Sequence, residues 1–523
     1  MTESATILKV VDGDTVTVEL EDGTEETVRV LGIDTPETGD NVEAERRAEW
    51  EGIGDLDYLG KWGDQASLFA KDELAGAAVE LEADENEPDR GTYGRLLRYV
   101  RYTPSDGDDS VVYNRRAVAE GYARVYHSGF AHHDDYLDAE LDARADQRGV
   151  WKRSDPDASP EIRDKPVGKL YVPRAASIHT ETGAVDESRV PVFAESSATQ
   201  QLDSGTAYDE ALPLVAVDEE SRVTLVSGPL VDESYEEAER FSEDTSRYGN
   251  FPFVTNLLTS LTDRSGPIFV DGGHGQFNAD FALSLEDMAY YLRFLEGQDV
   301  ALHQVNSWTE ETLAEARGIV VTAPAERLTE DERAALASFA ASGGAVVLVG
   351  HAAADMPARA RENLNEVAAA LDTDLRLNGD TVSDEASHLA DDPRLVVTSN
   401  LNSEFEHLFF PVTQEQSRDG HLAVSEIRPS VEGHEYSELV VLENTGDCPL
   451  DISNWRVEDA SGKRFEFPVG TTLPVGGRVQ VRTGDGEDAV ILHWDHSQGV
   501  WNDDGDTVSV VDDTGTVVAE RTY

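Results

Sequence analysis

Residues 7–33 have the sequence ILKVVDGDTVTVELEDGTEETVRVLGI. Apolar and polar residues alternate from Ile7 to Glu19, which is the pattern of a half-buried β-strand. The tripeptide Glu21-Asp22-Gly23 supplies turn residues, and a second strand-like run extends from Glu26 to Ile33. The segment therefore predicts a β-hairpin, with the turn sequence Asp12-Gly13-Asp14 inside its first half.

The next hundred residues add helices to this hairpin. Residues 39–58 are polar and acidic and predict a loop, and the helical period of Lys61–Ala78 predicts a helix. Arg95–Tyr102 predicts a strand, and further helices are predicted at Asn114–Tyr122 and Asp134–Arg148. A hairpin-rich barrel with a few helices is typical of an OB-fold, so we expect an OB-fold β-barrel with helices in the first block.

Length and composition indicate the number of domains and the charge of the surface. A chain of 523 residues predicts about three domains. It has 105 acidic and 42 basic residues, a net charge of −63, and only seven lysines. Such a surface excludes bulk coating of nucleic acid, because phosphate binding needs positive charge. An acid-rich, lysine-poor composition resembles that of proteins from a high-salt cytoplasm, where salt screens self-repulsion.

Cysteine content and hydropathy narrow the class of protein. Cys448 is the single cysteine, which excludes an intramolecular disulfide and zinc sites built from several cysteines. No run of 18 apolar residues occurs, so we expect no membrane span. The sequence shows no signal peptide, which predicts a cytoplasmic location; secretion is the alternative if translation begins upstream of Met1 and adds a signal sequence.

Composition changes along the chain divide it into blocks. The predicted boundaries are a first domain at 1–155, a proline-bearing linker at 156–175, a middle domain at 176–412 and a last domain at 421–523. Short apolar strands alternate with helices in the middle domain, which predicts an α/β fold with a parallel sheet. Short alternating strands separated by turns predict a β-sandwich in the last domain.

Five side chains of the first domain suggest chemistry. Asp14 and Asp34 follow strands and offer hard oxygen ligands that suit Ca²⁺ or Mg²⁺. Arg29 and Arg95 offer planar guanidinium groups that can grip a phosphate, and the Glu37 carboxylate could accept a proton from water. Each motif alone also fits an ordinary turn or a solvated strand residue. Together, a metal, two guanidinium groups and a base form a set that hydrolyses phosphodiesters.

Residues 7–151 resemble the thermonuclease, or staphylococcal-nuclease-like, family. The residues that carry the resemblance are Val11-Asp12-Gly13-Asp14-Thr15, Arg29, Asp34-Thr35-Pro36-Glu37, Tyr93-Gly94-Arg95 and Trp151. The resemblance implies an OB-fold with three helices that cuts DNA and RNA and leaves 3′-phosphates. One departure is the acidic stretch Asp40–Asp57, which is longer than the family minimum; another is the absence of the family's lysine-rich surface.

The same resemblance implies roles for seven residues. They are Asp14, Asp34 and the Thr35 carbonyl as Ca²⁺ ligands, Glu37 as general base, Arg29 and Arg95 as stabilisers of the charged phosphate, and Tyr93 as a contact to a terminal phosphate. The expected function is a Ca²⁺-dependent endonuclease that hydrolyses DNA, RNA or both. The alternative is a catalytically inactive scaffold that binds nucleic acid or protein, which need not keep Glu37 and Arg95. A third interpretation makes the middle domain a sensor or assembly element with the nuclease as its output.

The arginines of this domain leave two possibilities open. Seven arginines and four acidic residues lie between Arg90 and Phe130. This local excess of positive charge predicts a basic cleft on an acidic body. Alternatively, these arginines pair with the surrounding carboxylates and no basic cleft exists.

The other two domains resemble known folds as well. The middle domain is similar to noncatalytic glutamine-amidotransferase-like domains through Ile268–Gly275, Gly318–Thr322 and Gly344–His351, and this implies a binding or scaffold role. The last domain resembles a lamin-tail domain, an immunoglobulin-like β-sandwich, through segments such as Glu438–Gly446 and Leu450–Trp455. That resemblance implies a possible protein or DNA partner for the last domain.

Overall fold

The structure is a computed structural model. The residues that it describes are 2–105, 107, 109–156, 163, 167–209, 211–409, 422–428, 438–444, 450–453, 455–459, 463–468, 471–473, 477–483, 491–494, 507–511 and 517–522. The chain forms two compact units, Met1–Val412 and Thr413–Tyr523. The predicted boundary near residue 155 lies inside the first unit, and residues 157–162 and 164–166 of the predicted linker lie outside the described residues.

The first block is a β-barrel with helices. Its strands and helices are β1 (Thr2–Val10), β2 (Thr15–Leu20), β3 (Glu25–Val30), β4 (Ile33–Asp34), α1 (Leu56–Leu74), β5 (Ala78–Glu82), β6 (Leu96–Tyr102), β7 (Val111–Val112), α2 (Tyr113–Ala119), β8 (Arg124–Val125) and α3 (His133–Ala145). The sheet runs in the order β3-β2-β1-β5-β6-β7, and an additional pairing between β3 and β6 closes five strands into a barrel. Alternate residues of these strands, such as Val16, Val18, Val28 and Val30, fill the barrel core.

The acidic segment 39–58 is more ordered than the loop predicted from its composition. It contains two short 3₁₀ turns, and Trp50 within it is fully buried, with its ring centroid 5.7 Å from that of Trp151. Helix α1 begins at Leu56 rather than Lys61, because the Asp55 side chain caps it by accepting from the Tyr58 amide. Isolated apolar residues such as Trp50 give no periodic signal in an acidic sequence, so composition alone pointed to a loop.

The middle block belongs to the same compact unit as the first. Its strands and helices are β9 (Leu170–Pro173), β10 (Ile178–Thr180), β11 (Gly183–Ala184), β12 (Val192–Phe193), β13 (Thr199–Ser204), β14 (Pro213–Asp218), β15 (Val223–Val226), α4 (Asn250–Ser260), β16 (Ile268–Asp271), α5 (Ala289–Glu296), β17 (Leu302–Val305), α6 (Glu310–Ala314), β18 (Gly318–Thr322), α7 (Glu330–Ala341), β19 (Ala345–Val349), α8 (Ala358–Ala370), β20 (Leu375–Leu377), β21 (Gly379–Ser383), β22 (His388–Leu389) and β23 (Asp392–Thr398). Strand β9 falls within the stretch predicted as a linker, and it pairs with β23.

A seven-stranded sheet organises this block. Its order is β12-β14-β15-β19-β18-β16-β17, with parallel pairing from β15 through β17 and antiparallel pairing at the β12 edge. Helices α4 and α5 pack on one face of the sheet, and α6, α7 and α8 pack on the other. A capping box formed by Thr329 and Glu332 begins α7.

The second unit is a small all-β domain. Its strands are β24 (Leu422–Arg428), β25 (Leu439–Asn444), β26 (Leu450–Asp451), β27 (Arg456–Glu458), β28 (Arg464–Glu466), β29 (Thr472–Leu473), β30 (Arg478–Thr483), β31 (Ile491–Trp494), β32 (Thr507–Val511) and β33 (Val517–Thr522). They form two four-stranded sheets and one two-stranded sheet around a core that includes Val440, Trp455 and Val510. This is the β-sandwich predicted for the last domain.

Candidate active site

The turn between β1 and β2 holds Asp14 at the mouth of the barrel. The Asp14 carboxylate accepts hydrogen bonds from the Thr15 hydroxyl (3.0 Å), the Thr35 amide (3.0 Å) and the Thr35 hydroxyl (3.0 Å). The Tyr113 hydroxyl donates to the Gly13 carbonyl from below (2.6 Å). A Cβ atom on Gly13 would lie 2.7 Å from Thr35 Cγ2, so the turn requires glycine to pack this closely.

Arg29 joins the two predicted metal ligands. It lies on β3 opposite Thr15, and one of its terminal nitrogens is 3.0 Å from Asp14 Oδ2. The other terminal nitrogen is 2.8 Å from Asp34 Oδ1. The structure therefore brings together Asp14, Arg29 and Asp34, which the sequence separates by 15 and 5 residues.

The loop after Asp34 lies against helix α1. A Cβ atom on Gly63 of α1 would come within 2.4 Å of the Pro36 carbonyl oxygen, and glycine at this position lets the loop approach the helix. Glu37 is exposed at the edge of the site, and its amide donates to Glu45 Oε2 (2.6 Å). Partial burial raises the pKa of Glu37, and the charges of Asp34 and Asp14 add to that effect.

Arg95 and Tyr93 lie on the solvent side of the same mouth. An Arg95 terminal nitrogen is 3.4 Å from the Thr15 hydroxyl, and the guanidinium carbon is 5.6 Å from the centre of the Tyr93 ring. Tyr93 is 85% exposed, far more than other large apolar or aromatic residues that reach the surface. An exposed ring beside a guanidinium group offers a surface for a nucleotide.

The arginines of this block do not form an open basic cleft. Six of the seven arginines counted between Arg90 and Phe130 pair with a carboxylate in the structure. The pairs are Arg90–Glu26, Arg98–Asp89, Arg101–Glu82, Arg115–Asp135, Arg116–Glu73 and Arg124–Glu286. Within the described residues, Arg95 is the member of this set that has no carboxylate at ion-pair distance. The alternative in which acids neutralise the arginines is thus favoured over a broad basic cleft.

The donor set of the site fits a hydrated hard cation. Burial raises the pKa of Asp34, and Asp14 adds to that rise, while Arg124 and Arg29 oppose it. Asp14 is buried and Asp34 is half-buried, and two carboxylates that repel each other in such surroundings gain from a shared positive charge. In the part of the chain that the structure describes, no group of three or more His, Cys, Asp or Glu side chains has metal-binding spacing. The pair therefore fits a cation that keeps several water ligands, rather than one enclosed by side chains.

One further residue that the sequence pattern did not indicate, Arg124, reaches the site. Nε of Arg124, on β8, lies 3.3 Å from Asp34 Oδ2, on the side opposite Arg29. The same guanidinium group pairs with Glu286 of the middle block. In the sequence, Arg124 is one of seven arginines between Arg90 and Phe130 and no motif distinguishes it. In the structure, β8 pairs with β4, and this pairing places Arg124 opposite Asp34.

Comparison with known proteins identifies two families in the chain. A family model described as staphylococcal nuclease homologue matches residues 27–153, and one described as lamin tail domain matches residues 415–523. An uncharacterized protein of Methanocaldococcus jannaschii is 37% identical over 150 residues, covering 28% of this chain and 71% of that protein.

Thermonucleases match the same part of the chain. The thermonuclease of Staphylococcus intermedius is 32% identical over 155 residues, which cover 29% of this chain and 77% of that enzyme. The thermonuclease of Staphylococcus hyicus is 30% identical over 147 residues, which cover 28% of this chain and 73% of that enzyme.

The last unit and the described helices can be assigned in the same way. The last unit is a lamin-tail domain of immunoglobulin-like β type. A search of the described helices finds none with the length and apolar character that crossing a bilayer requires. Through its first block, which is a nuclease domain with an OB-type barrel, the chain belongs to the family of staphylococcal nuclease homologues.

Proposed function

We propose that the first block is a Ca²⁺-dependent endonuclease that hydrolyses phosphodiester bonds of DNA, RNA or both and leaves 3′-phosphate ends. The observation that carries the proposal is the group formed by Asp14, Arg29 and Asp34, with Arg95 beside it and free of any carboxylate partner among the described residues. A binding scaffold has no need for one buried and one half-buried carboxylate around a single guanidinium group, because their desolvation is costly.

The carboxylates of Asp14 and Asp34, with the Thr35 carbonyl, would hold the cation. When bound, Ca²⁺ supplies positive charge beside the scissile phosphate. The Thr35 amide and hydroxyl fix the Asp14 carboxylate in place, so its orientation does not depend on the ligand. Preorganised ligands of this kind lose little free energy to reorientation when the cation binds.

Glu37 is the proposed base. Its raised pKa makes the carboxylate a better proton acceptor than an ordinary surface glutamate. In the proposed step the water oxygen bonds to phosphorus, and the bond from phosphorus to the 5′ oxygen breaks. Glu37 takes a proton from the water, the 5′ oxygen takes up a proton from solvent and leaves as a hydroxyl, and the phosphate stays on the 3′ oxygen.

Arg29 and Arg95 are the proposed stabilisers of the pentacoordinate phosphorus. Arg29 is held by two carboxylates, whereas Arg95 is free to turn toward substrate. Guanidinium donors aimed at developing charge lower the barrier without weakening ground-state binding. Tyr93, exposed beside Arg95, is the proposed contact for a terminal phosphate.

The other two blocks are proposed to bind rather than to catalyse. The middle block resembles glutamine-amidotransferase-like domains, but the nucleophilic cysteine of that family is missing, since Cys448 belongs to the lamin-tail block. We expect a scaffold role there. The lamin-tail domain is the proposed contact to a protein or DNA partner.

Cleavage by the full chain tests the nuclease proposal. Supercoiled DNA and single-stranded RNA are incubated in high salt with Ca²⁺ or with a chelator. The expected result is cleavage that requires Ca²⁺ and gives ends that a polymerase extends only after phosphatase treatment. Full activity in chelator would overturn the metal assignment, and directly extendable ends would overturn the product assignment.

A further inference from the structure

The acidic segment 40–57 of the nuclease block packs against the middle block. Arg46 in this segment donates to Glu233 of the middle block (2.6 Å). The Gly52 amide donates to Glu296 (3.3 Å). This acidic segment is thus a docking element for the middle block.

Arg124 is the point where this interface reaches the site. It is only 4% exposed, and its two terminal nitrogens lie 2.8 and 3.0 Å from the Glu286 carboxylate. One of them is also 3.0 Å from Glu49 of the docking segment. Its Nε lies 3.3 Å from Asp34 Oδ2. Three carboxylates therefore share one buried cation, and one of them is a proposed metal ligand.

Glu286 is firmly held on the middle-block side. It lies in a 3₁₀ turn, Leu285–Met288, whose start carries a capping box formed by Ser284 and Asp287. The His127 amide donates to the Glu286 carboxylate (2.8 Å). Burial opposes ionisation of Glu286, but the charge of Arg124 outweighs it and holds the pKa at about 2. Glu286 is therefore a fixed negative charge behind Arg124.

A cation bound by Asp34 would compete with Arg124, whose Nε lies 3.3 Å from Asp34 Oδ2. A guanidinium group that pairs strongly with Asp34 Oδ2 weakens the attraction of that carboxylate for a second cation. The Glu286 carboxylate binds both terminal nitrogens of Arg124 on the side away from Asp34. Such a bidentate pair offsets much of the guanidinium charge, so that Arg124 attracts Asp34 less strongly.

We propose that Glu286 of the middle block is a positioning residue for the nuclease site: it holds the Arg124 guanidinium group and thereby leaves Asp34 available to bind the divalent cation. This inference rests on the proposed function. The middle block would then set the Ca²⁺ affinity of the nuclease block, and a domain that does no chemistry would control one that does.

The test measures Ca²⁺ binding by calorimetry, using the full chain at one fixed high salt concentration. An Asp34→Asn variant supplies the blank, because a chain with 105 acidic residues binds Ca²⁺ elsewhere as well. For Glu286→Gln, we expect the Asp34-dependent dissociation constant for Ca²⁺ to rise by about three- to tenfold, since Arg124 then relies more on Asp34.

A double variant separates this effect from simple damage to the interface. Arg124→Gln with Glu286→Gln removes both buried charges, and we expect Ca²⁺ binding at least as tight as in the unaltered protein. If Glu286 only supports the fold, the double variant binds Ca²⁺ as weakly as the single one or more weakly, and the inference is overturned. The double variant also gives a result if Glu286→Gln alone does not fold.

A matched control and the parent protein complete the design. Glu296→Gln alters the same interface away from Arg124, through its contacts to Gly52 and Arg293, and should leave the dissociation constant unchanged. An equal loss in Glu296→Gln contradicts the inference. If the unaltered protein and Asp34→Asn bind Ca²⁺ alike, the proposed metal site itself is wrong. If they differ but Glu286→Gln changes nothing, only the positioning role is wrong.

Discussion

Arg29 and Arg124 both reach the Asp34 carboxylate, but they arrive from two different kinds of structure. The hairpin side of the site (Asp14, Arg29 and Thr35) is built from one turn and two strands within 22 residues of sequence. The interface side (Glu49, Arg124 and Glu286) joins positions up to 237 residues apart in two blocks. The first is a local motif that a sequence displays, and the second exists only after two blocks have packed together.

This difference predicts which property of the enzyme each side of the site controls. Groups of the hairpin side are aimed at the space where substrate and cation would lie, so their loss should affect the chemical step. Groups of the interface side are buried behind Asp34 and should act on cation affinity and on stability. Substitutions on each side therefore separate the two contributions, and the largest effect is expected at the proposed base.

Changing Glu37 to Gln should give the largest loss on the hairpin side. The amide cannot accept the proton, so we expect single-turnover cleavage to slow by about 10²–10⁴. Ca²⁺ binding should change little, because Glu37 is exposed at the edge of the site. Rates are measured at saturating Ca²⁺ beside calorimetric titration. A fully active variant would show that another group accepts the proton.

Changing Arg95 to Ala should slow cleavage by about 10²–10³, the usual result of removing one donor to a developing charge. Arg101 provides the matched control, because it lies on β6, which begins directly after Arg95, and its side chain is 40% exposed. Arg98 does not suit this purpose, since it is buried and pairs with Asp89. Single-turnover rates and equilibrium binding are compared at one salt concentration. Equal losses at Arg95 and Arg101 would contradict a specific role for Arg95.

Buried glutamates at the interface between the first and middle blocks should make the stability of the protein depend on pH. Burial raises the pKa of Glu49 and of Glu296 to about 7, and that of Glu233 to about 8. In the unfolded chain these carboxyls lose their protons near pH 4.5. Between that pH and about 7–8 the folded protein holds more protons than the unfolded chain, so the free energy of unfolding should fall as pH rises.

Denaturant unfolding between pH 5 and pH 8, at fixed high salt, measures this fall. Each buried glutamate should account for roughly 1–3 kcal/mol, since one unit of pKa shift corresponds to about 1.4 kcal/mol. Glu296→Gln should reduce the slope, whereas a glutamine at exposed Glu330 should not. Identical slopes in the unaltered protein and Glu296→Gln would contradict the account of the interface.

The turn and strands that carry the hairpin side could be predicted from the sequence, whereas the contacts of the interface side could not, for physical reasons. Turn residues and strand alternation act over a few positions, so the Asp12-Gly13-Asp14 turn and strand β6 could be inferred locally. The partner of Arg124 lies 162 residues away, and no periodicity connects the two. Trp50 inside the acidic segment shows the same limit, because it packs against Trp151, which lies 101 residues away in the sequence.

Cleavage by Asp34→Asn tests the central claim most directly, since Asp34 is the residue where the two sides meet. The variant is assayed with Ca²⁺ in high salt beside the unaltered chain and beside Asp72→Asn, which changes an exposed aspartate on α1. We predict that Asp34→Asn loses nearly all cleavage while Asp72→Asn cleaves like the unaltered chain. Undiminished cleavage by a folded Asp34→Asn variant would contradict the assignment of this site.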